Sequence, residues 1–118
     1  MPQQYSLLDA VIESIQDKKG EDIVVLDLRK VQDTITDQFI ICHADNTTQV
    51  RAIAHNIVEM VREKTGETPF SKEGFANAEW ILVDYLDIVV HVFYKEKRTF
   101  YQLEELWSDA QIKKIANS

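Results

Sequence analysis

The chain contains little cysteine, little glycine and no long apolar run, and each shortage excludes a class of protein. Cys42 is the only cysteine among 118 residues, so no disulfide can form within the chain, which predicts a reducing compartment such as the cytoplasm. The three glycines lie too far apart to form the phosphate-binding loop of a Walker or Rossmann enzyme. No stretch approaches the roughly 18 apolar residues of a membrane-spanning helix, and the first residues show no secretory signal.

Positive charge is also scarce. The chain has 13 Lys and Arg residues against 20 Asp and Glu residues, which gives a net charge of −7. Nucleic-acid phosphate repels such a protein unless its few cations are gathered on one face. The charge therefore favours a basic protein partner and argues against direct, sequence-specific binding of nucleic acid.

Hydrophobic periodicity predicts an α/β protein, which at this length we expect to be a single domain over residues 1–118. The predicted helices are residues 6–18, 47–64 and 101–116. The predicted strands are residues 23–26, 39–42, 68–72, 80–83 and 88–93. Residues 84–87 are too few for a crossover, so the last two strands should form an antiparallel hairpin. The expected architecture is a mixed sheet of about five strands with helices packed on its faces.

Candidate metal ligands and nucleophiles are isolated in the sequence. The histidines His43, His55 and His91 lack metal-ligand spacing, and His91 alternates with apolar residues, so it is predicted to be a hydrogen-bonded core histidine. Cys42 follows an apolar run and is predicted to be an inert core thiol. Ser71 lies outside any nucleophile motif. We therefore predict no catalytic residue, no metal and no cofactor.

Two further patterns leave alternatives open. Asp84 and Asp87 could bind Mg²⁺ in nucleotidyl transfer, but Asp is common in turns and neither a third acid nor a phosphate loop is evident, so the turn is favoured. Residues 95–98 form a basic cluster beside aromatic residues. That cluster is typical either of a single-stranded RNA platform or of a solvated charged turn.

Six segments, in matching order over about residues 5–110, resemble the ribosomal silencing factor family, also called Iojap. The most specific are W-I-L-V-D-x-x-D-x-V-V-H-V-F at residues 80–93 and R-x-F-Y-x-L-E-E-L-W-x-D-A at residues 98–110. The other four are residues 22–28, 36–42, 49–54 and 72–74. Two positions depart from the family pattern. A Gly-x-Ser element is replaced by residues 44–46, and the usual hairpin glycine is replaced by Leu86, which disfavours a positive φ and predicts a different or longer turn.

The resemblance implies a nucleotidyltransferase-like fold without its catalytic residues. It also implies binding to the large ribosomal subunit through ribosomal protein fourteen, on the face that meets the small subunit. Subunit joining would be blocked and translation lowered in nutrient limitation, with a further role in large-subunit assembly. Family members are often dimers when isolated. A Mg²⁺-dependent nucleotidyltransferase and an RNA-binding module are the alternatives.

The docking surface is predicted around the hairpin. Trp80, Leu82 and Asp84 share one face of their strand, because side chains alternate along it. The predicted edge of this surface is formed by Tyr101, Glu104 and Trp107, and Arg98 is a further predicted partner contact. In this hypothesis Arg98 reaches acidic partner groups or rRNA phosphate. The sequence leaves open whether Trp80 and Trp107 are in the core or in the interface, since Trp is often only partly buried.

Overall fold

The computed structural model of the chain describes residues 6–29, 36–101 and 111–115; for residues 99–101 it describes the backbone only. The described elements, in chain order, are α1 (Leu7–Asp17), β1 (Glu21–Asp27), β2 (Gln38–Ala44), α2 (Thr47–Thr65), β3 (Ser71–Glu73), β4 (Trp80–Asp84), β5 (Ile88–Tyr94), α3 (Lys95–Tyr101) and β6 (Gln111–Ile115). The fold is mixed α/β, as the sequence predicts.

The strands form one sheet in the order β3-β4-β5-β2-β1-β6. β2 pairs with β5 in parallel, and the other described pairs are antiparallel. The parallel pair requires a crossover, which is supplied by α2 and the β3–β4 segment. The central strands are buried on both faces over most of their length, since Ile23–Leu26 and Ile40–Ala44 are all buried.

Both long helices agree with their predicted bounds to within one residue at each end. Ser6 caps α1 by accepting a hydrogen bond from the Asp9 amide, and Asn46 caps α2 by accepting one from the Gln49 amide. Gly66 ends α2 in the left-handed conformation, with φ of 80°, and its amide donates to the Arg62 carbonyl. α2 is therefore fixed at both ends by local sequence.

α1 and α2 pack on the same face of the sheet and bury the main core. Val11 and Ile15 of α1, together with Ile53 and Ile57 of α2, are fully buried against alternate residues of the strands. A smaller cluster on the opposite face contains Val24, Leu26, Leu28, Ile41 and Phe93, with Phe39 and Trp80 packed against it. No helix in the described part of the chain is long and apolar enough to cross a membrane.

The predicted helix over residues 101–116 is wrong at its C-terminal end. Residues 111–115 form β6, which pairs antiparallel with β1 from Ile23↔Ile115 to Asp27↔Gln111. Over the described residues the sheet consequently has six strands rather than about five. At the N-terminal end of the prediction, Tyr101 is the last described residue of α3 (Lys95–Tyr101), and residues 102–110 lie outside the described residues.

The expectation that Leu86 would avoid a positive φ is also wrong. Leu86 has φ of 74° in the turn between β4 and β5. Its amide donates to the Asp84 carboxylate at 2.7 Å, and the Asp87 amide donates to the Tyr85 carbonyl at 3.0 Å. These hydrogen bonds hold a tight turn and impose the left-handed conformation on a residue that ordinarily disfavours it.

Candidate functional site

β4 places three candidate side chains on one face of the sheet. Its burial alternates, so that Ile81 and Val83 are buried beneath the helices, whereas Trp80, Leu82 and Asp84 are partly exposed on the other side. This alternation follows from the two-residue period of a strand. Trp80 is thus neither sealed in the core nor fully exposed.

The hairpin register surrounds Trp80 with aromatic rings. Phe93 lies directly across from Trp80, and His91 lies across from Leu82. The Trp80 and Phe93 rings are stacked, with centroids 5.1 Å apart and planes 22° apart. The Trp80 Nε1–H donates a hydrogen bond of 3.0 Å to His91 Nδ1. We call the surface formed by Phe39, Trp80, His91 and Phe93 the aromatic face.

His91 is a buried, neutral histidine within the aromatic face. It is 4% exposed, and burial lowers its pKa from the usual 6.5 to about 4. Phe39 packs edge-on against its ring, with centroids 4.7 Å apart. The sequence prediction of a hydrogen-bonded core histidine is confirmed, and the structure adds that its partner is the indole of Trp80.

Arg98 reaches the same face from α3. Its Nη1 donates to the Asp22 carbonyl at 2.6 Å and lies 3.0 Å from His43 Nδ1. A guanidinium only donates, so His43 Nδ1 must accept, and His43 is neutral. Burial and the Arg98 charge lower the pKa of His43, partly offset by Asp22. Arg98 therefore ties α3 to β1 and β2, and its role as a partner contact stays a prediction.

Asp84 is engaged in the hairpin turn. One oxygen of its carboxylate accepts the Leu86 amide hydrogen at 2.7 Å, and its carbonyl accepts the Phe70 amide hydrogen at 2.7 Å. This geometry supports the turn interpretation over a magnesium ligand. Within the described residues, no group of three or more His, Cys, Asp or Glu side chains is placed to hold a metal.

Cys42 is a core residue, as predicted. It is fully buried, and desolvation raises the pKa of its thiol to about 12. A thiol that stays protonated at neutral pH is a poor nucleophile and a poor metal ligand.

The other predicted site residues fall outside the described side chains. Tyr101 ends α3, and its side chain is outside the description, as are Glu104 and Trp107 entirely. Sequence reasoning missed His91 as the partner of Trp80 and His43 as the partner of Arg98. The first pair has a signal in the sequence, because a tight turn between β4 and β5 places residues about eleven apart on adjacent strands. The second pair, separated by 55 residues, has none.

The sequence also matches known proteins. Residues 2–118 match the family model described as "Ribosomal silencing factor during starvation". The chain belongs to this family. The family includes a "Ribosomal silencing factor RsfS" of Bacillus subtilis, which is 42% identical over 92% of this chain and 91% of that protein. This chain is also similar to mouse "Mitochondrial assembly of ribosomal large subunit protein 1", at 30% identity over 92% of this chain and 50% of the mouse protein.

Solved structures agree with this family membership. A crystal structure of a Chromobacterium violaceum protein superposes with a TM-score of 0.81 at 34% identity, covering 86% of this chain and 83% of that one. A Bacillus halodurans structure superposes with a TM-score of 0.74 at 40% identity, covering 86% and 92%. The family resemblance drawn from the sequence motifs is confirmed.

Proposed function

We propose that this member of the ribosomal silencing factor family binds the large ribosomal subunit through ribosomal protein fourteen and blocks joining of the small subunit. Translation in nutrient limitation would be lowered, and the same binding would act in large-subunit biogenesis. The names of the relatives support a ribosomal role, since they refer to ribosome silencing and to assembly of a large subunit. The protein would act in the cytoplasm and without catalysis.

The partly exposed Trp80 on the aromatic face carries this proposal. A Trp that is held rigidly and still reaches solvent is the kind of residue that dominates protein interfaces. Its ring is fixed by the Phe93 stack and by the hydrogen bond to His91. Leu82 and Asp84 continue the same face and would provide an apolar neighbour and a rim charge.

The charge of the chain favours a cationic partner. With a net charge of −7, the protein is steered toward basic surfaces and is repelled by bare rRNA. Ribosomal proteins are generally basic. The acidic composition therefore supports a protein contact on the ribosome over a nucleic-acid contact.

The block would be steric. The shortest extent of the chain is 27 Å, far wider than the space between two contacting subunit surfaces. A domain of this thickness on the joining face prevents contact without any chemical step. The Asp84 carboxylate accepts a hydrogen bond from the Leu86 amide within the hairpin turn, and this structural role agrees with a mechanism that needs no catalytic acid.

Subunit joining in a sucrose gradient tests the proposal. Purified small and large subunits are mixed under conditions that favour joining, with and without the protein. We expect the protein to shift material from joined ribosomes to free subunits and to sediment with the large subunit. Trp80→Ala should weaken this binding about 30-fold, which corresponds to about 2 kcal/mol for an interface-centre Trp.

Phe70→Ala is the matched control. Phe70 is an aromatic residue that is 73% exposed, and it lies beside the opposite end of β4 from Trp80. This variant should block joining as well as the unmodified protein does. Equal joining with and without the protein would refute the function, and binding by Trp80→Ala as tight as that of the unmodified protein would refute the assignment of Trp80.

A further inference from the structure

His91 has a buried polar atom that its position in the core does not explain. Its Nδ1 accepts the Trp80 indole hydrogen, so its proton must lie on Nε2. That Nε2 is buried and has no hydrogen-bond partner among the described residues. An unsatisfied buried donor is unfavourable, and an apolar residue of similar size would avoid it. The Nε2 side of the ring therefore gives no reason to place a histidine here.

The other ring nitrogen supplies a reason. Trp80 has an N–H that must find an acceptor as it leaves water, and His91 Nδ1 is 3.0 Å away. The Phe93 stack restrains the tilt of the indole plane, and the hydrogen bond restrains its rotation within that plane. Together the two contacts restrain both the tilt and the in-plane rotation of the indole.

We propose that His91 is a positioning residue for partner binding, which holds the Trp80 indole in its docking orientation before the partner arrives. The inference rests on the proposed function, since it assumes that Trp80 contacts the ribosomal partner. A side chain ordered in advance loses less conformational freedom on binding, which raises affinity without any new contact. His91 itself is too buried to touch the partner.

Two substitutions at His91 separate the acceptor role from simple packing. In His91→Asn, the amide oxygen takes the place of Nδ1 and can still accept the indole hydrogen, whereas His91→Leu fills similar space without an acceptor. We expect His91→Leu to weaken binding to purified large subunits about three- to tenfold, the range for ordering one side chain. His91→Asn should bind within about twofold of the unmodified protein.

Nuclear magnetic resonance of the free protein reports the indole directly. The chain has two Trp residues, so a Trp107→Phe background leaves one indole N–H signal, that of Trp80. This signal should exchange with solvent faster in His91→Leu than in His91→Asn or in the unmodified protein. A change in global stability alone would alter backbone amides and the indole together, whereas lost positioning alters the indole first.

Trp80→Phe provides a second route that leaves the buried histidine intact. Phe has no N–H to donate, so His91→Leu should weaken binding less in a Trp80→Phe background than in the indole-containing protein. If His91→Leu is unfolded, the positioning role requires that Trp80→Phe, which keeps an aromatic ring but lacks the N–H, binds more weakly than the unmodified protein. Undiminished binding by Trp80→Phe then overturns it.

The outcomes distinguish this inference from the proposed function. If Trp80→Ala weakens binding but a folded His91→Leu does not, the positioning role is wrong and the function stands. If His91→Asn weakens binding as much as His91→Leu, packing rather than the acceptor is responsible, and the inference is overturned. If Trp80→Ala leaves binding unchanged, the proposed docking surface itself is wrong.

Discussion

Leu86 shows how one residue can carry strain that its neighbours impose. Its φ of 74° lies in the left-handed region, which side chains with a Cβ adopt at a cost of roughly 1–2 kcal/mol. Its side chain is 55% exposed, so little apolar burial offsets that cost. The turn holds because Asp84 accepts the Leu86 amide hydrogen and the strands on either side are paired. Family resemblance indicated a glycine here, and the structure explains why glycine suits the position.

Replacing Leu86 with glycine should therefore stabilise the protein. We expect Leu86→Gly to raise the free energy of unfolding by about 0.5–1 kcal/mol, because the relief of strain exceeds the added freedom of the unfolded chain. Urea denaturation measures this change. Leu86→Ala is the control and should give no gain, since alanine meets the same backbone constraint. Equal stability of the glycine and alanine variants would show that the turn is not strained.

At the scale of elements, two glycines end segments in similar backbone conformations but in different surroundings. Gly66 ends α2 with φ of 80°, and a Cβ there would meet nothing within 4 Å. Gly74 follows β3 with φ of 90°, and a Cβ there would clash with the Trp80 carbonyl oxygen. The first glycine is needed only for its conformation, whereas the second also lets two backbone segments approach each other where β4 begins.

Alanine at these two glycines should consequently have unequal effects. Gly66→Ala is expected to lower the free energy of unfolding by about 1 kcal/mol, the conformational penalty alone. Gly74→Ala should lower it by about 2–4 kcal/mol, because the new methyl group adds a clash with backbone to that penalty. Thermal or urea unfolding of both variants gives the comparison. A smaller loss for Gly74→Ala than for Gly66→Ala would contradict this account of the β3–β4 turn.

Local signals explain which elements the sequence predicts correctly. α2 has a capping pair at its start, a glycine at its end and one apolar stripe, so its bounds follow from nearby residues. β6 has no comparable signal. Ile112 and Ile115 fit a helical stripe as well as a strand, and the strand exists because residues 111–115 pair with β1, far away in the sequence. The pairing of Arg98 with His43 is nonlocal for the same reason, whereas Trp80 and His91 are brought together by one short turn.

For the whole molecule, two buried histidines make folding stability depend on pH. His91 stays neutral in the fold because burial lowers its pKa to about 4, and burial likewise lowers the pKa of His43. In the unfolded chain both should titrate near the usual 6.5. As the pH falls below that value, the unfolded state takes up protons that the folded state does not, so acid favours unfolding until the folded pKa is reached.

The free energy of unfolding should therefore fall between pH 7 and pH 5. The shift of His91 from 6.5 to about 4 corresponds to a loss of about 2 kcal/mol at pH 5 from this residue. His91→Asn removes that titration, so its unfolding free energy should change less over the same range, as measured by urea denaturation at both pH values. An identical pH dependence in the variant and in the unmodified protein would show that His91 is not held neutral by the fold.

The parallel pair of β2 and β5 also has a consequence for the order of assembly during folding. The β1–β2 and β4–β5 hairpins can form from residues that are close in the sequence. The β2–β5 pairing, which we call the seam, joins residues that are far apart in the sequence. An example beside it is the 2.9 Å hydrogen bond from Thr36 Oγ1 to the Asp87 carbonyl, 51 residues away. Closing so long a loop loses chain entropy before the contacts compensate. We expect each half to gain structure early and the seam to close last, setting the folding rate. A newly made chain would expose the edges of β2 and β5 until that step is complete.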